Sequence, residues 1–169
     1  LYSKAIDKSF LNNFDNNNGR IDFNGSLKTI SKYKFSKIKN FYQYEPKISF
    51  YKNDIIFFDN KGSILRFNND TDLIWKKNNY TKSEKKENPI LFFANNKKIL
   101  IVADNISKYY ALDVNTGELL WSKNNSAPFN SQLKIFKDMF FVIDFENILR
   151  AYSIKNGNEI WKVRTLNSL

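Results

Sequence analysis

The sequence has no cysteine and no histidine, and only three prolines, five glycines and four arginines occur among its 169 residues. Without cysteine there is no disulfide framework, thiolate metal site, iron–sulfur cluster or cysteine nucleophile. Without histidine, Ser-His-Asp chemistry and histidine-ligated metals are excluded within this chain. No run of about 18 apolar residues is present, so no membrane-spanning helix is predicted. The sequence alone therefore excludes many of the common catalytic and metal-binding sites.

The residues that are abundant predict a folded, basic domain. The chain is 42% hydrophobic and 17% aromatic, which excludes a wholly disordered protein, and its formal net charge is +10. Scattered lysines and few arginines argue against nucleic-acid binding and leave an anionic membrane surface or an acidic protein partner as alternatives. Since the first residue is Leu and not Met, we expect a mature product or an excised fragment.

An internal repeat is the strongest signal in the sequence. The three tryptophans, Trp75, Trp121 and Trp161, recur every 40 to 46 residues, and each follows one of the three prolines at a similar distance. Four short runs rich in Ile, Val, Phe and Tyr lie in each repeat, separated by turns rich in Asn, Asp and Gly. Each repeat is therefore predicted to be a four-stranded antiparallel meander, which is the size of a β-propeller blade.

The repeat divides the chain into predicted segments. Three full blades are predicted at about 46–78, 89–124 and 128–163, and residues 27–35 alternate polar and apolar like a single strand that closes a ring. Residues 1–26 are predicted to be an irregular polar arm. The predicted fold is thus all-β: a β-propeller of four-stranded antiparallel blades, present as a partial ring of three full blades plus a closing strand at 27–35.

The motif around the second tryptophan distinguishes between propeller families. The sequence lacks the Gly-His and Trp-Asp dipeptides of WD40 repeats and the adjacent glycines of kelch repeats. The segment from Ala111 to Trp121 resembles the PQQ-like repeat, with Asp113, Thr116 and Gly117 at the turn positions of that motif. A second copy ends at Trp161 and contains Gly157, whereas the first repeat, which ends at Trp75, lacks the glycine. We interpret the tryptophans, the two glycines, Asp113 and Thr116 as structural repeat residues.

Within that superfamily the arrangement of strand 27–35 and the plain blades resembles the propeller lipoprotein family of the bacterial outer-membrane β-barrel assembly machinery (BamB-like). The resemblance implies an eight-bladed ring, of which this chain would be about the N-terminal half, and a lipid anchor that lies upstream or is absent. It implies a non-catalytic periplasmic scaffold, without cofactor, that binds periplasmic domains of the assembly barrel. A half-ring that exposes blade faces also predicts self-association.

Two alternatives remain open. Quinoprotein dehydrogenases share the PQQ-like repeat, and such an enzyme would need pyrroloquinoline quinone, calcium and usually a vicinal disulfide, whose cysteines are lacking here. The chain could also be a generic propeller interaction module with an unassigned partner. The calcium-like run beginning at Asp15 fails the EF-hand spacing and is interpreted as part of the polar arm. The charged connection 82–87 is interpreted as a solvated link between blades, with a partner site as the alternative.

Overall fold

The computed structural model describes residues 48–165 and Lys32. The predicted polar arm 1–26 and, apart from Lys32, the predicted closing strand 27–35 lie outside the described residues. In the described part no helix has the length and apolar character needed to cross a membrane.

Twelve strands form three four-stranded sheets, and within each sheet the strands follow one another in chain order. The strands of the first blade are β1 (Ser49–Tyr51), β2 (Asp54–Phe58), β3 (Ile64–Phe67) and β4 (Leu73–Lys77). Those of the second blade are β5 (Leu91–Asn95), β6 (Ile99–Asp104), β7 (Lys108–Asp113) and β8 (Leu119–Asn124). The third blade consists of β9 (Lys134–Phe136), β10 (Met139–Ile143), β11 (Ile148–Ser153) and β12 (Glu159–Arg164). A short 3₁₀ helix, Glu84–Glu87, lies between the first two blades.

All neighbouring strands are antiparallel, so the turns of each blade alternate between two sides. The hairpin face carries the first and third turns of each blade, namely 52–53, 68–72, 96–98, 114–118, 137–138 and 154–158. The linker face carries the second turn of each blade and the connections between blades. The first strands β1, β5 and β9 are neighbours, which places them innermost, and the fourth strands are outermost.

The core lies between successive blades, because each blade buries one face of its sheet on the next. One cluster joins the first two blades and centres on Ile56, Leu100 and Tyr110, and the second joins the last two and centres on Ile101 and Phe140. The second strand of the middle blade is buried along nearly its whole length, whereas β10 alternates between buried and partly exposed residues. The middle blade is covered on both faces and the last on one.

The predicted fold class is confirmed: the described residues are almost entirely β and form propeller blades that do not close into a ring. Each blade has the same irregularity opposite its tryptophan. The register shifts where Trp75, Trp121 and Trp161 pair with the third strand, so that one extra residue bulges from the outer strand just before each tryptophan. In the three blades that extra residue is an exposed Ile74, Leu120 or Ile160.

Candidate functional site

The junctions between blades bring most of the repeat residues together. Trp75 of the first blade lies under the third turn of the second blade and donates its indole N–H to the carbonyl oxygen of Val114, at 3.2 Å. The Cα of Gly117 faces the indole so closely that a Cβ there would lie 2.8 Å from Trp75 Cδ2. Gly117 also has a φ of +71°, a left-handed conformation that glycine adopts without strain. Gly117 therefore allows the left-handed turn and also leaves room for the indole ring of Trp75.

The second junction repeats this geometry. Trp121 donates its indole N–H to the carbonyl oxygen of Ile154 at 2.9 Å, and a Cβ on Gly157 would lie 2.6 Å from its ring. The ring stacks on Phe140 of the third blade with centroids 6.2 Å apart. Two successive junctions thus use one tryptophan and one left-handed glycine from adjacent blades.

Trp161 has no such cover in the described part of the chain. Its side chain is 41% exposed, whereas Trp75 is 7% exposed. The whole of β12 is exposed, and Val163 and Ile160 lie beside the tryptophan on the outer strand. The third repeat tryptophan therefore sits on an open blade face.

The remaining repeat residues cap the third turn of the second blade. Asp113 Oδ1 accepts the backbone N–H groups of Asn115 and Thr116 at 2.8 and 2.9 Å. Thr116 Oγ1 in turn accepts the N–H of Glu118 at 3.2 Å. These bonds satisfy turn groups that would otherwise require water, which is the role that Asx and ST turns usually fill.

A second repeated feature lies on the linker face, where each blade buries one carboxylate at the end of its second strand or directly after it. These residues are Asp59, Asp104 and Asp144, each at most 2% exposed. In each case Oδ1 accepts the N–H groups of the residues two and four positions later. The carboxylates close the turns, and what differs between blades is the group that faces Oδ2.

In the second blade a tyrosine from the connecting segment faces the carboxylate. Tyr80 donates its hydroxyl to Asp104 Oδ2 at 2.6 Å, and this phenol bridges the first two blades. Burial raises the pKa of Asp104 above its ordinary value, and the hydrogen bond from Tyr80 counters only part of that effect. Burial likewise raises the pKa of Tyr80 well above its usual range, and the nearby Tyr110 and Asp104 add to the rise. In this pair the neutral phenol of Tyr80 donates to the buried carboxylate of Asp104.

In the third blade an arginine faces the carboxylate instead. Arg150 donates Nε to Asp144 Oδ2 at 2.7 Å and a second N–H to Glu159 at 2.6 Å. Burial acts to raise the pKa of Asp144, but the arginine and the Ile148 N–H outweigh it, so the pKa is lowered. The same position in the turn therefore holds carboxylates whose pKa values shift in opposite directions.

The acids of residues 48–165 do not fit a calcium and quinone site. Within this described part no three acidic side chains lie close enough together to hold a metal ion. The three buried carboxylates lie in different blades, and their oxygens already accept N–H or O–H groups from the protein. Such carboxylates are structural turn caps rather than a shared cation site.

Several of these residues were not identified from the sequence. Asp59, Asp104 and Asp144 belong to the Asp-rich turns of the repeat, but the partners Tyr80 and Arg150 lie 24 and 6 residues from their acids, with no common spacing. The charged connection 82–87 contains the 3₁₀ helix, and Glu84 there forms an ion pair with Lys108 at 3.0 Å. The sequence signal that could have helped is the recurrence of one acid in every blade.

One family model matches this chain, and the similar solved structures share its fold. The family model described as outer membrane protein assembly factor BamB matches residues 60–168. The crystal structure of BamB from Moraxella catarrhalis is similar, with a TM-score of 0.59 and 16% identity, over 71% of this chain and 35% of that one. The chain thus spans about a third of the length of that structure. No curated protein gives a significant match.

Two other solved structures share the fold. The quinohemoprotein alcohol dehydrogenase from Comamonas testosteroni matches with a TM-score of 0.57 and 15% identity, over 69% of this chain and 20% of that one. The computationally designed Ika4 protein matches with a TM-score of 0.57 and 12% identity, over 77% of this chain and 80% of that one. At such identities the likeness establishes the propeller fold and carries no function.

Proposed function

Because this chain belongs to the family of the outer membrane protein assembly factor BamB, we propose that it is a non-catalytic scaffold of outer-membrane β-barrel protein assembly. On this proposal it binds periplasmic domains of the assembly barrel and works at the periplasmic side of the bacterial outer membrane. The observation that carries the proposal is the family match, which extends over residues 60–168 and so includes the second and third blades and the last two strands of the first.

The polar chemistry inside the blades supports a scaffold. The buried carboxylates cap turns, and the tryptophans hold successive blades together, so these groups stabilise the array rather than act on a substrate. Rigid blades leave the turns and outer strands as the surfaces available to a partner. Exposed aliphatic residues recur there, at Leu73, Ile74, Leu119 and Leu120. Partner domains would dock on these loops and strand edges.

We also propose that the three blades are part of a larger propeller, with strand 27–35 contributing to the blade that closes the ring. Trp75, Trp121, Trp161, Gly117, Gly157, Asp113 and Thr116 would then be structural residues of the ring rather than partner contacts. Without a neighbouring blade, the open face around Trp161 would favour self-association of this chain.

A pull-down with the immobilised 169-residue chain and the purified periplasmic domains of an assembly barrel tests the scaffold function. The designed Ika4 propeller is a matched control, since it shares the fold at 12% identity. We expect saturable capture by this chain and background capture by the control. Equal capture by both propellers would contradict the proposal.

The alternative function is that of a quinoprotein dehydrogenase, since a quinohemoprotein alcohol dehydrogenase shares the fold. Isothermal titration of the chain with pyrroloquinoline quinone plus calcium distinguishes the two functions. We expect no binding heat above dilution, because the described acids do not converge on a cation site. Tight, stoichiometric binding would overturn the scaffold proposal.

A further inference from the structure

The first turn of every blade carries a lysine in a left-handed backbone conformation. The φ values are +55° at Lys52, +74° at Lys97 and +53° at Lys137, and all three side chains are exposed. Residues other than glycine, asparagine and aspartate seldom adopt this conformation, because the Cβ crowds the backbone. A lysine at this position in three blades out of three therefore opposes the local backbone preference.

The abundance of lysine does not explain this placement. Asparagine is also among the commonest residues of the chain, and it tolerates the left-handed conformation better than lysine does. Two of the three third turns follow the expected preference, with Gly117 and Gly157 at their left-handed positions, whereas the first blade has Thr71 there. Composition would thus supply asparagine for the first turns at less strain, so the recurring feature of the left-handed positions is a lysine. In the third of these turns the exposed Asp138 places one opposite charge beside Lys137.

The topology brings these lysines together at the centre of the hairpin face. Their turns follow the innermost strands β1, β5 and β9, which are neighbours in the structure. Asn95, at the end of β5, donates its side-chain N–H groups to Ser49 Oγ at 2.7 Å and to the Phe50 carbonyl at 2.9 Å. These bonds fix the first two turns beside each other. Lys98 adds a fourth exposed charge next to Lys97.

An exposed aromatic ring belongs to the same cluster. Phe136 precedes the third lysine turn and is 61% exposed, although it ends an innermost strand. The Nζ of Lys137 lies 5.3 Å from the centroid of this ring. We define the inner lysine cluster as Lys52, Lys97, Lys98 and Lys137 together with Phe136. It offers cationic and aromatic contacts at the first turns of successive blades, whose innermost strands are joined through β5.

The surrounding charge indicates the shape of a complementary partner. The outer turns of the first two blades lie on the same face and carry the exposed acids Asp70, Asp72 and Glu118. A flat anionic membrane that approached this face would meet those carboxylates and be repelled. A narrow chain segment can reach the centre without approaching the outer turns, so the charge pattern favours a peptide over a lipid surface.

We propose that the inner lysine cluster binds an extended acidic segment of a protein partner. This inference deepens the proposed scaffold function, and it rests on that function for the identity of the partner but not for the chemistry of the site. Lysine provides mobile point charges rather than a rigid fork, which suits a run of carboxylates with no fixed geometry. Because the cluster is exposed, binding should weaken steeply as salt is added.

Fluorescence anisotropy with a fluorescein-labelled decaglutamate peptide tests the proposal. The variant replaces three lysines by the residue that the backbone prefers, Lys52→Asn, Lys97→Asn and Lys137→Asn. A control variant removes the same charge from the outer strands, Lys77→Asn, Lys123→Asn and Lys162→Asn. We expect the Kd of the first variant to rise at least tenfold and that of the control less than threefold. Equal weakening in both variants, or none in the first, would overturn the proposal.

Two further measurements make the test specific. The thermal midpoint of the inner variant should equal or exceed that of the unmodified chain, since asparagine fits the left-handed turns; a fall would indicate a structural role and refute the proposal. Sedimentation with phosphatidylglycerol vesicles should show no loss specific to the inner variant. Cluster-dependent vesicle binding without peptide binding would assign the site to a membrane instead. The assembly-barrel pull-down above is scored separately, so failure of the scaffold function is distinguishable from failure of this site.

Discussion

The contact between Gly117 and Trp75 makes a quantitative prediction about how blades are joined. Gly117→Ala would place a methyl group 2.8 Å from Trp75 Cδ2 and 2.9 Å from Lys77 Cγ. It would also force an L-residue to adopt a φ of +71°. The substitution thus adds a backbone strain and a steric overlap, and these two contributions can be measured separately.

The expected cost is the sum of the two effects. The left-handed backbone costs about 1–2 kcal/mol for a residue with a Cβ. Overlap with a well-packed ring adds about 1–3 kcal/mol, because Trp75 is buried and its indole is held by the bond to Val114. Gly117→Ala should therefore lower the free energy of unfolding by about 2–5 kcal/mol, a large share of the total stability of a typical domain.

Equilibrium urea unfolding of the 169-residue chain, followed by circular dichroism, measures this cost, and a double-mutant cycle with Trp75→Leu isolates the overlap. Thr71 provides the matched backbone control, since it has a φ of +73° in the corresponding turn of the first blade. Thr71→Gly should change stability by no more than about 1 kcal/mol, because the relieved backbone strain of about 1–2 kcal/mol is partly offset by the conformational entropy that glycine loses on folding, about 0.5–1 kcal/mol.

The double-mutant cycle tests the contact between the glycine and the indole directly. With Trp75→Leu already present, Gly117→Ala should cost only its backbone strain, giving a coupling energy of about 1–3 kcal/mol. A coupling below about 0.5 kcal/mol would show that the indole does not require a glycine opposite it. The proposal that Gly117 and Trp75 together form the blade junction would then be wrong.

Three further substitutions test the other contacts. Trp75→Ala should cost about 3–5 kcal/mol in urea unfolding and Trp161→Ala well under half of that, because the second ring is 41% exposed; equal costs would contradict the assigned burial. Tyr80→Phe leaves a buried carboxylate oxygen without its donor and should cost about 1–3 kcal/mol, whereas Tyr110→Phe should be nearly neutral, since its buried hydroxyl bonds no described residue. Asp144→Asn should cost about 3 kcal/mol at pH 7 by leaving the arginine partly uncompensated. The pKa of Asp144 is lowered in the folded state, so the stability difference between the two proteins should be complete above the ordinary value of 3.8. It should vanish as the pH falls through the lowered pKa. Urea unfolding curves from pH 7 to pH 2 measure this difference, and a constant value would refute the prediction.

Much of the fold could be predicted from the sequence because a propeller blade is a local structure. Each strand pairs with the next along the chain, so runs of Ile, Val, Phe and Tyr between turn residues predict the strands without knowledge of distant contacts. Trp75, Trp121 and Trp161 recur in one register because each occupies the same position in its blade. The PQQ-like motif at 111–121 added the family, which the match to residues 60–168 supports.

The partners of the buried acids could not be predicted in this way. Asp104 bonds a tyrosine 24 residues earlier, whereas Asp144 bonds an arginine 6 residues later in its own hairpin. Turn chemistry predicts an acidic residue at the start of each of these turns, because two nearby backbone N–H groups need an acceptor. Which side chain reaches the second oxygen depends on how the connecting segment crosses between blades.

The sequence by itself determined the period, the strand order within each blade and the exclusion of cysteine and histidine chemistry, because these follow from residue type and local pairing. Only the tertiary structure decided which tryptophan is covered, which pKa rises and which falls, and which lysines share a surface. The physical reason is that burial and charge are properties of the space between blades. Trp75 and Trp161 have the same sequence position in their repeats, and only the presence of a neighbouring hairpin distinguishes them.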